Sequence, residues 1–139
     1  MKVQALIPVG IAGLGAIGLV VARRLEAGMP GLLVVAVAGR DERKTRAAMA
    51  GFGAMPLVVP AAALPNHAEV IVDCAPSAAF DAVAEAAVAA GRRLLTVNAA
   101  ALLRRLDLVD QAQASGGRGV LRAAPGRGSR STRIRRPIA

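Results

Sequence analysis

Gly13-Leu14-Gly15-Ala16-Ile17-Gly18 stands between a short apolar run, Val9-Gly10-Ile11-Ala12, and a longer one, Leu19-Val20-Val21-Ala22-Arg23-Arg24-Leu25-Glu26-Ala27, which stops at Gly28. The first run has the length of a buried strand, and the second reads as a helix with a glycine stop. Strand, G-x-G-x-x-G and helix in that order form the dinucleotide-binding fingerprint. Each glycine has its own task. Gly13 permits the tight turn off the strand, Gly15 leaves room for a pyrophosphate, and Gly18 lets the helix pack close to the sheet. The first-turn amides near Ala16 and Ile17 lack intrahelical partners and lie at the positive end of the helix dipole, which suits an anionic phosphate.

The composition supports this reading. At 139 residues the chain has the length of one domain, and 55% of it is apolar with only Phe52 and Phe80 as aromatics. A core of Ala, Val, Leu and Ile suits a parallel sheet covered on both faces. The run Ala5 to Ala22 holds no charge and is long enough to raise a membrane-spanning reading, but Pro8 and four glycines argue against a lipid-facing helix. It makes a poor signal peptide as well, with Lys2 as the only basic residue ahead of it. A cytoplasmic chain is expected, and the single cysteine, Cys74, fits a reducing compartment.

The net charge of +9 resembles a nucleic-acid signal until its distribution is read. Residues 1–117 carry 11 Lys/Arg against 9 Asp/Glu, whereas residues 118–139 carry seven arginines and no acid. The expected organisation is therefore a near-neutral dinucleotide-binding domain over 1–117 and an arginine-rich tail over 118–139. Without aromatic residues for base stacking, that tail is charge alone, and no nucleic-acid partner is expected.

Beyond the fingerprint, apolar runs alternate with helical stretches. Strands are predicted at Leu32 to Ala38, Pro56 to Val59, Ala68 to Ala75 and Leu94 to Val97, with a sixth beginning at Val120-Leu121. Helices are predicted at Asp41 to Ala50, at Ala78 to Ala90 behind a Ser77 N-cap, and at Ala99 to Ala114 with a break near Arg104 to Asp107. One helical turn is predicted at Ala61 to Asn66. This alternation implies βαβ units in a Rossmann-type, doubly wound parallel α/β sheet with helices on both faces. Right-handed crossovers then bring Gly13, Arg40, Ala75 and Asn98 to one edge, where ligands of such sheets bind.

The end of the second strand bears on the cofactor. An NAD-selective site places a carboxylate there, about 20 residues past the fingerprint, to accept from the ribose 2′-OH. Here Arg40 comes first and Asp41 follows at a helix start. The arginine can pair with the 2′-phosphate of NADP or extend into solvent, with Asp41 as N-cap. Both NAD and NADP remain open on these residues.

With those positions in place, the chain resembles the NAD-binding domain of the L-aspartate dehydrogenases, in the aspartate/homoserine dehydrogenase group. The resemblance rests on Gly10 to Gly18, Val35-Ala-Val-Ala-Gly-Arg-Asp41, Val70-Ile-Val-Asp-Cys-Ala-Pro76 and Ala99-Ala-Ala-Leu-Leu103, and covers about residues 5 to 117. It implies oxidation of L-aspartate to iminoaspartate with hydride transfer to NAD or NADP. It also implies a second domain that brings the catalytic histidine and most of the substrate pocket. From Leu121 to Arg136 the sequence departs from that pattern, and the expectation is a chain carrying the cofactor half alone. That stretch is either a reading out of frame or a disordered basic tail. The rival expectations are a noncatalytic nucleotide-binding module and an inactive truncated product.

Single residues sharpen the picture. His67, the only histidine, precedes the fourth strand at the end away from the fingerprint and is expected at the surface. Cys74 has no base to activate it and is expected to pack rather than react. Asp73 either bonds loop amides or faces the cleft. Ala75 and Pro76 are expected to line the nicotinamide side, by strand-end position and by the resemblance. Asn98 either hydrogen-bonds the nicotinamide ribose or caps the helix at Ala99. No His/Cys/Asp cluster has metal-ligand spacing, so no metal is expected. A small amino-acid substrate is expected only where a catalytic domain is supplied.

Overall fold

A computed structural model describes residues 5–114, 121–123 and 132–133 of the chain. The uncharged run at the start divides into a strand, β1 (Ile7–Ala12), and a helix, α1 (Ala16–Glu26), separated by the glycine turn. No helix among the described residues is long and apolar enough to cross a membrane. The remaining elements are β2 (Leu32–Ala38), α2 (Glu42–Ala48), β3 (Leu57–Val58), β4 (Val70–Asp73), α3 (Phe80–Ala89), β5 (Arg93–Thr96), α4 (Ala99–Leu103), α5 (Leu106–Ala114), β6 (Leu121–Ala123) and β7 (Thr132–Arg133).

The strand order is β3-β2-β1-β4-β5-β6-β7, with every neighbouring pair parallel except β6 and β7. Order 3-2-1-4-5-6 is that of the dinucleotide-binding Rossmann sheet, and its direction reverses between β1 and β4. The expected fold class is therefore the observed one. The sheet continues through β6 and β7, past residue 117. Val120 and most of the arginine-rich tail lie outside the described residues.

Two apolar layers hold the sheet. On one face α1 packs Ala22 and Leu25, and the C-cap of α2 packs Met49, over Val9, Ile11, Val37 and Val72. On the other, α3, α4 and α5 pack Phe80, Val83, Leu102 and Leu108 over Ile71 and Leu94, joined by Leu64 from a 3-10 turn at Ala61–Asn66. Burial on both faces explains why the strands read as unbroken apolar runs. It also hid a feature of β2. The register steps from Val9↔Val34 to Gly10↔Ala36, so Val35 is an extra residue in the ladder. Val34 and Val37 therefore share one layer, while Val35 and Ala36 face the other.

The start of α3 differs from the prediction. Ser77 does not cap α3. It opens a 3-10 turn over Ser77–Ala79, and α3 begins at Phe80. The helix expected from Ala99 to Ala114 is broken as anticipated, at Arg104 and Arg105. There the Arg105 guanidinium reaches Asp81, Glu85 and Asp107 at 2.9–3.0 Å, tying the break to α3.

Candidate functional site

The C-terminal edges of β1, β2, β4 and β5 converge on a cleft of about 590 Å³, within the range of small-ligand sites. Its lining includes Gly13, Gly15 and Ile17 from the turn, Arg40 and Asp41 beyond β2, and Ala75 and Pro76 beyond β4. Seven of the ten expected site residues are thus brought together. Ala16 lies exposed in the first turn of α1, Gly18 is buried beneath it, and Asn98 stands behind the wall formed by Ala75.

The three glycines of the turn differ in why they are glycine. The Gly13 amide donates to the Ala38 carbonyl oxygen at 2.7 Å, and the chain then turns with φ of 85°, a conformation that L side chains rarely adopt. A Cβ on Gly13 would also lie 2.8 Å from Ala75 Cα. A Cβ on Gly18 would land on the Gly13 carbonyl oxygen and lie 3.3 Å from Cys74 Cβ. Both positions are dictated by the fold itself. Gly15 is not. It is the exposed N-cap of α1, with ordinary extended backbone, and a Cβ there would meet nothing within 4 Å.

The opposite wall is built from side chains. Asp73, fully buried at the end of β4, accepts from the Ala75 amide at 3.1 Å and from Thr96 Oγ1 at 2.7 Å. Asn98 Nδ2 donates to Asp73 Oδ2 at 3.2 Å and to the Ala75 carbonyl oxygen at 2.9 Å. Ser77 Oγ donates to Asn98 Oδ1 at 3.2 Å. This settles Asp73, which holds a loop amide. For Asn98 it removes the capping alternative: the side chain makes no cap bond to α4 and instead clamps the β4 and β5 strand ends together. Sequence reading missed this cluster because its partners lie 21–25 residues apart and share no periodicity.

On the β2 side, Asp41 caps α2, accepting from the Lys44 amide at 3.1 Å. Lys44 and Thr45 also line the cleft, and neither was singled out. Their position held a signal, since both lie in the first turns of the helix that follows β2. His67 is exposed at the end of the 3-10 turn that precedes β4. Cys74 lines the cleft half-buried, and burial together with the nearby Asp73 pushes its thiol up from 9.0 to about 11. At neutral pH it is a packing group and no nucleophile.

This cradle fits a dinucleotide. The turn offers an open glycine beside unpaired amides of an 11-residue helix, and the cleft crosses the point where strand order reverses. Comparison with known proteins agrees. The sequence model described as the homoserine dehydrogenase NAD-binding domain matches residues 13–121. The L-aspartate dehydrogenase of Bradyrhizobium diazoefficiens is 44% identical over 110 residues, covering 79% of this chain and 39% of that protein. L-aspartate dehydrogenase 3 of Bordetella bronchiseptica is 36% identical over 110 residues, covering 78% and 40%. The chain thus spans about two fifths of the length of these relatives. In fold it is similar to a probable dehydrogenase from Thermotoga maritima, with a TM-score of 0.69 at 16% identity over 85% of this chain and 36% of that one. Glycine turn, strand order and matched sequence together place the chain in the homoserine dehydrogenase NAD-binding domain family.

Proposed function

We propose that the cleft holds a nicotinamide dinucleotide, NAD or NADP, as the cofactor-binding part of an L-aspartate dehydrogenase. Gly15 carries this reading. Neither backbone conformation nor packing requires glycine there, and a ligand passing over the turn does. In the proposed arrangement Gly13, Gly15, Ala16, Ile17 and Gly18 frame the pyrophosphate. Arg40 and Asp41 meet the adenosine ribose, and Ala75 and Pro76 border the nicotinamide half, with Asn98 bracing them from behind.

The bound cofactor supplies a hydride acceptor, and in the whole enzyme the substrate would be L-aspartate, oxidised to iminoaspartate. The residues described here bind and orient. The helix-tip amides take up negative charge, and the Asp73 cluster keeps the Ala75 wall at a fixed distance from the turn. Among the described residues the cleft lining contains no histidine, and its one thiol stays protonated. We assign acid–base chemistry on the substrate to a further catalytic domain, since this chain spans about two fifths of the length of its dehydrogenase relatives. From the change in charge at that point we take residues 1–117 as the body of the dinucleotide-binding unit and 118–139 as a basic extension, whose strands β6 and β7 continue the same sheet. A cytoplasmic setting, with neither membrane nor nucleic acid as partner, accords with the single cysteine and the near-neutral body.

Calorimetric titration of the 139-residue chain with NADH and NADPH tests the reading. Saturable one-to-one binding with little aspartate-dependent reduction of cofactor is expected. Absence of binding by both dinucleotides would contradict it.

A further inference from the structure

We propose that Asp73 holds an uncompensated negative charge behind the nicotinamide end of the cleft, so that the chain favours the oxidised, positively charged ring over the reduced, neutral one. The proposal rests on the reading above, that a nicotinamide dinucleotide occupies the cleft, and adds which redox form the site prefers.

Asp73 is fully buried at the end of β4, and both of its oxygens act as acceptors. Oδ1 accepts from the Ala75 amide at 3.1 Å, and Oδ2 accepts from Thr96 Oγ1 at 2.7 Å and from Asn98 Nδ2 at 3.2 Å. The Thr96 oxygen itself accepts from the Asn98 amide at 2.9 Å, which directs its own proton to Asp73. Donors converging on both oxygens of a carboxyl group are the pattern of the ionised form. None of these donors is a cation, and among the described residues Asp73 enters no ion pair.

A charge taken out of water is costly, and neutral donors offset only part of that cost. A cation brought alongside offsets more, and the described residues supply none at this end of the cleft. The cations of the described lining are Arg40 and Lys44, both beyond β2, whereas the β4–β5 side presents Cys74, Ala75, Pro76 and Val97. The charge of Asp73 still reaches that lining, since it adds to burial in pushing the Cys74 thiol up to about 11. A positive ring seated there is therefore favoured over a neutral one of the same shape. The nicotinamide ring gains its charge as hydride leaves C4, so the same preference makes bound NADH the stronger hydride donor. A carboxylate that only held the Ala75 loop would act on both redox forms alike, through the shape of the wall.

The test is parallel calorimetric titration of the full chain with NAD+ and NADH. The wild type is expected to bind NAD+ at least as tightly as NADH. Asp73→Asn removes the charge at nearly constant size. It should shift the ratio of the two affinities at least about threefold toward NADH, the scale of a full charge acting through several layers of atoms at an effective dielectric of about 20. Thr96→Val takes a hydrogen bond from the same cluster but leaves the charge, so it should weaken both forms together and keep the ratio within about twofold of the wild type. A folded Asp73→Asn chain with the wild-type ratio overturns the proposal and leaves the cleft reading standing. So does an equal shift of the ratio in Thr96→Val, which would assign the effect to the shape of the wall. If circular dichroism shows that Asp73→Asn does not fold, the wild-type ratio decides, and tighter binding of NADH overturns the proposal. Absence of binding by both forms removes the cleft reading and this proposal with it.

Discussion

The two walls of the cleft solve the same problem by opposite means. The β1–α1 wall is stripped of side chains. Gly13 and Gly18 let backbone come within contact distance of backbone, and Gly15 leaves the helix tip open. The β4–β5 wall is held by side chains, with Asp73, Thr96, Asn98 and Ser77 linked by hydrogen bonds of 2.7–3.2 Å that fix where Ala75 sits. The walls touch where Gly13 meets Ala75. One is rigid because nothing else fits, the other because every polar group in it is satisfied. They should fail differently.

The largest effect is expected on the bare wall. Gly18→Val puts branched carbon onto the Gly13 carbonyl oxygen, and α1 can relieve the clash only by leaving the sheet. A loss of at least about 3 kcal/mol is expected, the upper end of overpacking costs, with a fall of roughly 10 °C or more in melting temperature. A variant that melts with the wild type would show that the turn is looser than its geometry implies.

Next comes the bonded wall. Asp73→Ala removes the acceptor for the Thr96 hydroxyl, the Ala75 amide and one Asn98 bond, all at or near a fully buried position. Buried donors left without partners cost about 1–3 kcal/mol, and a loss of that size is expected in denaturant unfolding. Asn98→Ala, at the partly exposed rim, should cost less. If the rim variant proves the more damaging, the cluster is organised around Asn98 instead.

The smallest effect concerns Cys74, which lies between the walls. Its thiol is pushed up from 9.0 to about 11, so the folded chain keeps this proton to higher pH than the unfolded chain does. The resulting contribution to stability is fully present below pH 9 and is lost as pH rises toward 11. Alkylation by iodoacetamide should accordingly be slow at pH 8 and increase through pH 11. A rate at pH 8 equal to that of the unfolded chain would place the thiol in solvent.

The contrast between the walls also accounts for what could be read in advance. The bare wall is local. Strand, turn and helix are contiguous, and glycine spacing reports directly on close approach, so Gly13 to Gly18 and the β1–α1 unit were legible. So was the break at Arg104 and Arg105, and so was the alternation that specifies a doubly wound sheet. The bonded wall joins residues 21–25 positions apart, and no periodicity links Ser77 or Asp73 to Asn98. Ser77 looked like a helix cap because its sequence neighbours permit one, while its hydroxyl donates to Asn98 across the strand ends. The extra residue Val35 was hidden because both faces of β2 are apolar, so a change of side leaves no mark in the pattern.

The central claim is that Gly15 is glycine for the sake of a ligand and for no reason internal to the fold. Gly15→Val puts that to a direct test when NADH affinity and melting temperature are measured on the same preparation. The account predicts at least a tenfold loss of affinity, about 1.4 kcal/mol, with melting within a few degrees of the wild type. Unchanged NADH affinity in a folded Gly15→Val chain would contradict it.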